Sequence, residues 1–200
     1  KYINRDEIHQ DIINTYCDVC QLAKDEKKTD LMLKCTDRTK ELIETVCVRD
    51  TGLDMWGIEK FVFKNKSSFE LLDKYYEILL IEAQNKIFDS FFRYIEKKRE
   101  PKERFYMPRR KQFLKIGLVD ALQGMIDDKY DVLCISLPPG TGKTTIEKFF
   151  HSAVIGWYTS GYNLFYSHSG DITRMYYDGM YDIVTNEDEY TWNEIFPDLK

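Results

Sequence analysis

The residues best suited to chemistry are Pro138-Pro139-Gly140-Thr141-Gly142-Lys143-Thr144-Thr145. They follow the apolar run Tyr130 to Leu137 and precede a segment with helical periodicity. A loop of this kind between a strand and a helix cradles phosphate: backbone N–H groups of the turn and first helical turn surround the oxygens, and the helix dipole favours the negative charge. Gly140 and Gly142 carry no side chain to block the approach. Lys143 reaches the β and γ phosphates, and the Thr144 hydroxyl ligates Mg²⁺. The full phosphate-loop pattern asks for glycine where this chain has Leu137. That position closes the strand, and the glycines that face phosphate are kept.

A second candidate lies upstream, in Phe105-Tyr106-Met107-Pro108-Arg109-Arg110-Lys111-Gln112. The Gln112 amide can pair with an adenine edge, and Phe105 or Tyr106 can stack on the ring. An ordinary helix entry after a proline, with its aromatics in the core, explains the same residues equally well. The candidate ATP-binding set is therefore Pro139, Gly140, Thr141, Gly142, Lys143, Thr144, Thr145, Gln112 and Arg110, with ATP and Mg²⁺ as cofactors. Lys143 is the candidate catalytic residue.

The elements that position these residues divide the chain in two. Residues 1–104 read as helices. Ile8, Ile12, Tyr16 and Cys20 recur at four-residue steps, and a second helical segment runs from Asp30 to Val48 before a break at Asp50-Thr51-Gly52. Ser67 and Glu70 have the spacing of a capping box, which predicts one long helix from there to about Arg99, ended by Pro101. Beyond it, Gln112 to Met125 reads as a helix, Tyr130 to Leu137 as a strand, Thr144 to Tyr158 as a helix, Asn163 to His168 as a strand and Asp171 to Val184 as a helix. This alternation predicts βαβ units, so the expected fold class is α/β: an incomplete P-loop NTPase parallel sheet over 105–200, preceded by an all-α region. Both strands lack polar alternation, as strands covered on both faces do.

Bulk properties agree with a packed protein. Of 200 residues, 43% are hydrophobic and 14% aromatic, which argues against disorder. No apolar stretch approaches the ~18 residues that span a bilayer. The first residue is lysine, and no signal-peptide pattern follows it; the expectation is a piece of a longer protein. The net charge of −5 hides a basic belt over 97–115 (Lys97, Lys98, Arg99, Lys102, Arg104, Arg109, Arg110, Lys111, Lys115) and a tail over 151–200 whose only bases are Arg174 and Lys200. A polyanion near the belt and a solvated charged linker are both compatible with this. The five cysteines, an odd number without a secretion signal, read as reduced thiols. A four-thiolate zinc site from Cys17, Cys20, Cys35 and Cys47 lacks a second C-x-x-C pair, and small buried thiols explain the pattern better.

Taken together, Phe105 to Gln112, the P-P-G-T-G-K-T-T loop, Asn163-Leu-Phe-Tyr-Ser-His-Ser169 and Glu194-Ile-Phe-Pro-Asp-Leu199 resemble the large subunit of a tailed-bacteriophage terminase. The resemblance covers about half the chain. It implies an ATP-driven motor that moves double-stranded DNA into a capsid, with a nuclease domain elsewhere in the full protein. It implies a small terminase subunit and a portal protein as partners, homo-oligomeric assembly, no membrane, and a place in the host bacterial cytoplasm. By the same resemblance Lys143 and Thr144 hold phosphate and Mg²⁺, Gln112 reads adenine, and Ser167 to Ser169 lie at the sheet edge near the nucleotide. Gly140 stands where many relatives carry arginine. No Walker B run ending in Asp-Glu lies between Thr145 and Lys200, and Leu79-Leu80-Ile81-Glu82, of similar texture, falls inside a predicted helix. The chain is therefore expected to bind ATP without turning it over alone. A helicase-like translocase and a non-catalytic nucleotide-binding interaction module are the alternative functions.

Overall fold

The computed structural model describes residues 5–22 and 29–199, which form two compact units, 1–85 and 86–200. The first holds α1 (Arg5–Leu22), α2 (Thr29–Thr51), α3 (Met55–Asn65) and α4 (Glu70–Gln84). The helical periodicity is realised as packing: Ile8, Ile12 and Val19 of α1 and Met32, Ile43, Val46 and Cys47 of α2 are all buried. Two buried threonines on α2 return their hydroxyls to the backbone, Thr36 to Leu33 O at 2.7 Å and Thr39 to Cys35 O at 2.8 Å. The buried carboxylate of Glu82 on α4 is neutralised by Lys40 on α2 at 2.8 Å. Gly52 takes φ +72° at the predicted break.

The predicted single helix from Ser67 to Arg99 does not form. Ser67 belongs to the turn that closes α3, its N–H donating to Val62 O at 3.2 Å. Phe69 is the residue before α4 and makes no side-chain cap. Glu70 pairs forward with Lys74, one turn along α4. The helix then stops, because Lys86 adopts φ +67°, a left-handed conformation that cannot continue a right-handed helix. Helical structure resumes at α5 (Phe88–Ile95). Gln123 stabilises the interruption: its Nε2 donates to Lys86 O at 3.0 Å and its Oε1 accepts the Phe88 N–H at 2.8 Å.

The second unit continues with α6 (Tyr106–Lys115), α7 (Leu118–Ile126), α8 (Lys143–Trp157), α9 (Gly170–Thr185) and the short α10 (Trp192–Ile195). Gly117, at φ +70°, splits the predicted Gln112–Met125 helix into α6 and α7. The core is aromatic. Phe92 lies 4.2 Å from Tyr106, almost parallel to it, and 4.3 Å from Phe149. Phe91 meets Trp157 edge-on, and Trp192 packs on Phe196. The Trp192 indole N–H donates to Ser152 O at 2.9 Å, which satisfies the polar atom that this residue carries into the core.

The expected α/β fold is not formed: among the described residues there is no strand and no sheet, and the architecture is all-α. Residues 132–138 and 162–167 have no regular structure, and neither has a ladder partner. Val132 is 77% exposed and Leu164 89% exposed, so these are not strands covered on both faces. In 162–167 only alternate residues turn inward: Phe165 stacks on Tyr176 of α9 at 3.7 Å, while Leu164 and Tyr166 face water. A strand owes its hydrogen bonds to a neighbour distant in sequence, and an apolar run does not specify one. The expected serine-rich turn at a sheet edge falls with the sheet: Ser169 precedes α9 and makes no side-chain cap there.

Candidate functional site

The loop around Gly142 is built by its glycines and by the start of α8. Gly140 and Gly142 lie at φ +78° and +89°, a region that side-chain-bearing residues avoid, and they turn the chain from 132–138 into the helix. The Thr141 hydroxyl donates to Pro138 O at 2.8 Å across this turn. The Lys143 ammonium donates back to Leu137 O, so the lysine ties the two ends of the loop together. The first bond entering the helix runs from Ile146 N–H to Gly142 O at 3.0 Å. The N–H groups of Lys143, Thr144 and Thr145 thus precede any partner the helix can supply, and they stand at the positive end of its dipole. Thr144 is exposed. A side chain at Gly140 would meet open space, whereas one at Gly142 would overlap the ring of Phe105.

Phosphate oxygens fit these donors: three N–H groups from one helical turn, an ammonium and an exposed hydroxyl. Were a magnesium ion held here, the exposed Thr144 hydroxyl could supply one ligand and phosphate oxygens and water the rest, as is usual for Mg²⁺. Among the described residues no cluster of three or more His, Cys, Asp or Glu could hold a metal ion. Glu147 lies one turn beyond Lys143. Burial raises its carboxyl above the ordinary value, and the charge of Lys143 works in the opposite direction.

The upstream half of the candidate set separates. Phe105 does lie beside the loop, against Gly142, with the Arg109 guanidinium over its ring at 4.6 Å. It is also part of the core, 6.0 Å from both Phe92 and Phe113. Tyr106 is fully buried, with its hydroxyl on Asp89 at 2.5 Å. Arg110 forms a two-point pair with Asp89, at 2.8 and 2.7 Å. Burial would raise the Asp89 carboxyl, but the hydrogen bonds and charge of Arg110, with help from Arg93 and Tyr106, hold it below its ordinary value. Gln112 is exposed on α6. Pro139 to Thr145 are therefore together, Phe105 joins them, and Arg110 is engaged elsewhere.

Much of the basic belt is engaged within its own unit. Glu194 receives Lys97 at 2.6 Å and Lys98 at 3.3 Å, and Glu189 receives Arg99 at 3.3 Å. Arg104 is buried and donates to the carbonyls of Arg99 and Lys97. The belt and the acidic tail thus neutralise one another, a pairing that separate charge runs do not announce. Lys111 and Lys115 remain exposed.

Sequence reasoning missed three polar groups at or in the core: the half-buried Asp89, the buried Glu96, and the His151–Tyr176 pair, whose ring nitrogen and hydroxyl are hydrogen-bonded between α8 and α9. Burial lowers the pKa of His151 below its ordinary value. The signal for this pair was the spacing of Lys143, Glu147 and His151 on one stripe of α8. Of the cysteines, Cys47 is buried, its pKa pushed up to about 11 by burial and by Asp50 and Glu44, whereas Cys17 and Cys134 are exposed and Cys35 is half-buried. The expectation of buried thiols thus fails at Cys17; the Cys20 side chain lies outside the described residues.

A scan against protein-family models, a search of curated proteins and a search of solved structures each find no match. Among the described residues no helix is long and apolar enough to cross a membrane.

Proposed function

We propose that the loop from Pro139 to Thr145 binds ATP with Mg²⁺, and that the chain is the nucleotide-holding part of a motor of the terminase large-subunit type acting on double-stranded DNA. The observation that carries the nucleotide reading is the tie from Lys143 to Leu137 O across a loop whose following helical turn leaves its N–H groups unpaired. The ammonium is already held over the loop, where it can exchange a carbonyl for a phosphate oxygen. The N–H groups of Lys143, Thr144 and Thr145 would hold the phosphates, and the exposed Thr144 hydroxyl would supply a ligand to the ion. Bound ATP supplies the phosphoryl-transfer free energy on which such a motor runs. The motor reading is supported by the combination of this loop with the Phe105–Gln112 and Asn163–Ser169 segments, which resembles the terminase pattern. Partner subunits, oligomeric assembly and a bacterial cytoplasmic setting belong to that same proposal.

The test is titration of a fluorescent ATP analogue with Mg²⁺ into the chain and into Lys143→Ala, with phosphate release followed in parallel. Loss of the ammonium should weaken binding at least tenfold, which corresponds to ~1.4 kcal/mol or more. Equal affinity of the two proteins would sink the site assignment.

A further inference from the structure

Glu96 follows α5 directly and is 1% exposed. Its two carboxylate oxygens accept the N–H of Phe105 at 2.8 Å and that of Tyr106 at 2.9 Å, and Arg99 donates to it at 3.4 Å. Phe105, the residue preceding α6, makes no side-chain cap of its own. A carboxylate nine residues upstream therefore does the capping. Burial raises the Glu96 pKa, while the two N–H bonds and the charges of Arg99 and Arg104 oppose the rise. Burying a carboxylate is costly unless it is paired and hydrogen-bonded, and the bonds that offset the cost at Glu96 fix the backbone at Phe105 and Tyr106. What it holds is Phe105, whose ring occupies the space beside Gly142 that any side chain there would need.

We propose that Glu96 is a positioning residue for the phosphate-binding loop: by fixing the backbone at Phe105 it seats the Phe105 ring against Gly142 and so sets the loop geometry that receives phosphate. The inference rests on the nucleotide reading given above. The route has three links, carboxylate to backbone, ring to glycine, and glycine to loop. It predicts that Glu96 and Phe105 act as one unit on affinity.

The experiment is a double-mutant cycle on the whole chain with Glu96→Gln, Phe105→Leu and the pair, read as affinity for Mg²⁺ and a fluorescent ATP analogue. Glu96→Gln keeps the shape but sets an amide N–H₂ against a backbone donor. It is expected to weaken binding roughly fivefold to tenfold, and the double variant should bind no more weakly than Phe105→Leu alone. Losses that multiply, or wild-type affinity in a folded Glu96→Gln, would overturn the proposal. Amide hydrogen exchange over 139–145 gives a readout independent of nucleotide: it should quicken in Glu96→Gln and stay unchanged in the neighbouring Lys97→Ala. If the wild type binds no nucleotide yet this exchange pattern holds, the nucleotide reading fails and the link from Glu96 to the loop stands. If exchange is unchanged in Glu96→Gln, the link itself is refuted. Should Glu96→Gln not fold, Glu96→Asp, which keeps the charge but retracts it, carries the same cycle with a smaller expected loss.

Discussion

Replacing each loop glycine by alanine separates two effects that the structure places at different positions. Gly140 and Gly142 both have positive φ, +78° and +89°, so alanine at either is strained by about 1–2 kcal/mol. At Gly140 nothing lies within 4 Å of the added Cβ, and the dihedral strain is the whole cost. At Gly142 the Cβ would overlap the Phe105 ring, which is backed by Phe92, Phe113 and Phe149 and cannot retreat freely. Overpacking of this kind adds about 1–3 kcal/mol. Gly142→Ala is therefore expected to cost about 2–5 kcal/mol and Gly140→Ala about 1–2 kcal/mol. Adding Phe105→Leu should recover part of the loss in the first case and none in the second. The assay is urea unfolding followed by the fluorescence of Trp157 and Trp192, with Trp56, which lies in the other unit, changed to Phe throughout. Equal costs at the two glycines, or no recovery on shortening Phe105, would refute the contact between that ring and the loop.

Three further outcomes are expected. Asp89→Ala leaves Arg110 and the Tyr106 hydroxyl without their acceptor; with Asp89 21% and Arg110 30% exposed, urea unfolding should show a loss of about 2–3 kcal/mol, less than the ~3–5 kcal/mol of a fully buried pair. Because the Asp89 pKa is lowered in the folded state, its stabilisation is present above the unfolded value and disappears as pH falls through the folded one, a slope that Asp89→Asn should remove. His151 has the same sign: its folded pKa is depressed by burial, so stability should fall as pH drops below about 6.5 through that lower value, and His151→Leu should flatten this part of a pH–melting profile. If the chain binds double-stranded DNA, Lys111→Ala with Lys115→Ala should reduce the slope of log affinity against log salt by up to about 2, while Lys97→Ala and Lys98→Ala, whose ammonium groups Glu194 already holds, should change it little.

The helical skeleton was legible where apolar residues repeat on one face. Helices α2, α8 and α9 lie within a few residues of their expected bounds because a helix closes its hydrogen bonds within its own segment. The loop was legible for the same reason: two glycines, a lysine and two threonines at fixed spacing specify a local turn and a helix start. The interruption at Lys86 was not legible. Nothing in Asn85-Lys86-Ile87 forbids a helix, and the side chain that fills the backbone groups at Lys86 and Phe88 comes from Gln123 on α7. Gly117, whose φ of +70° divides α6 from α7, lies inside an apolar pattern that continues on both sides of it.

By itself, the order of residues determined that Gly140 and Gly142 would turn and that a helix would begin at about Lys143. These outcomes depend on torsional preferences and periodicities of a few residues. The tertiary structure alone decided which of the neighbouring cations would be occupied. Arg110 is drawn onto Asp89, Lys97 and Lys98 onto Glu194, and the backbone at Phe105 onto Glu96. It also decided that the runs before Pro138 and before His168 would not join a sheet. Ion pairs and strand ladders both need partners brought from far along the chain. Which partners meet is set by the packing of the aromatic core, and a single stretch of sequence carries no record of that packing.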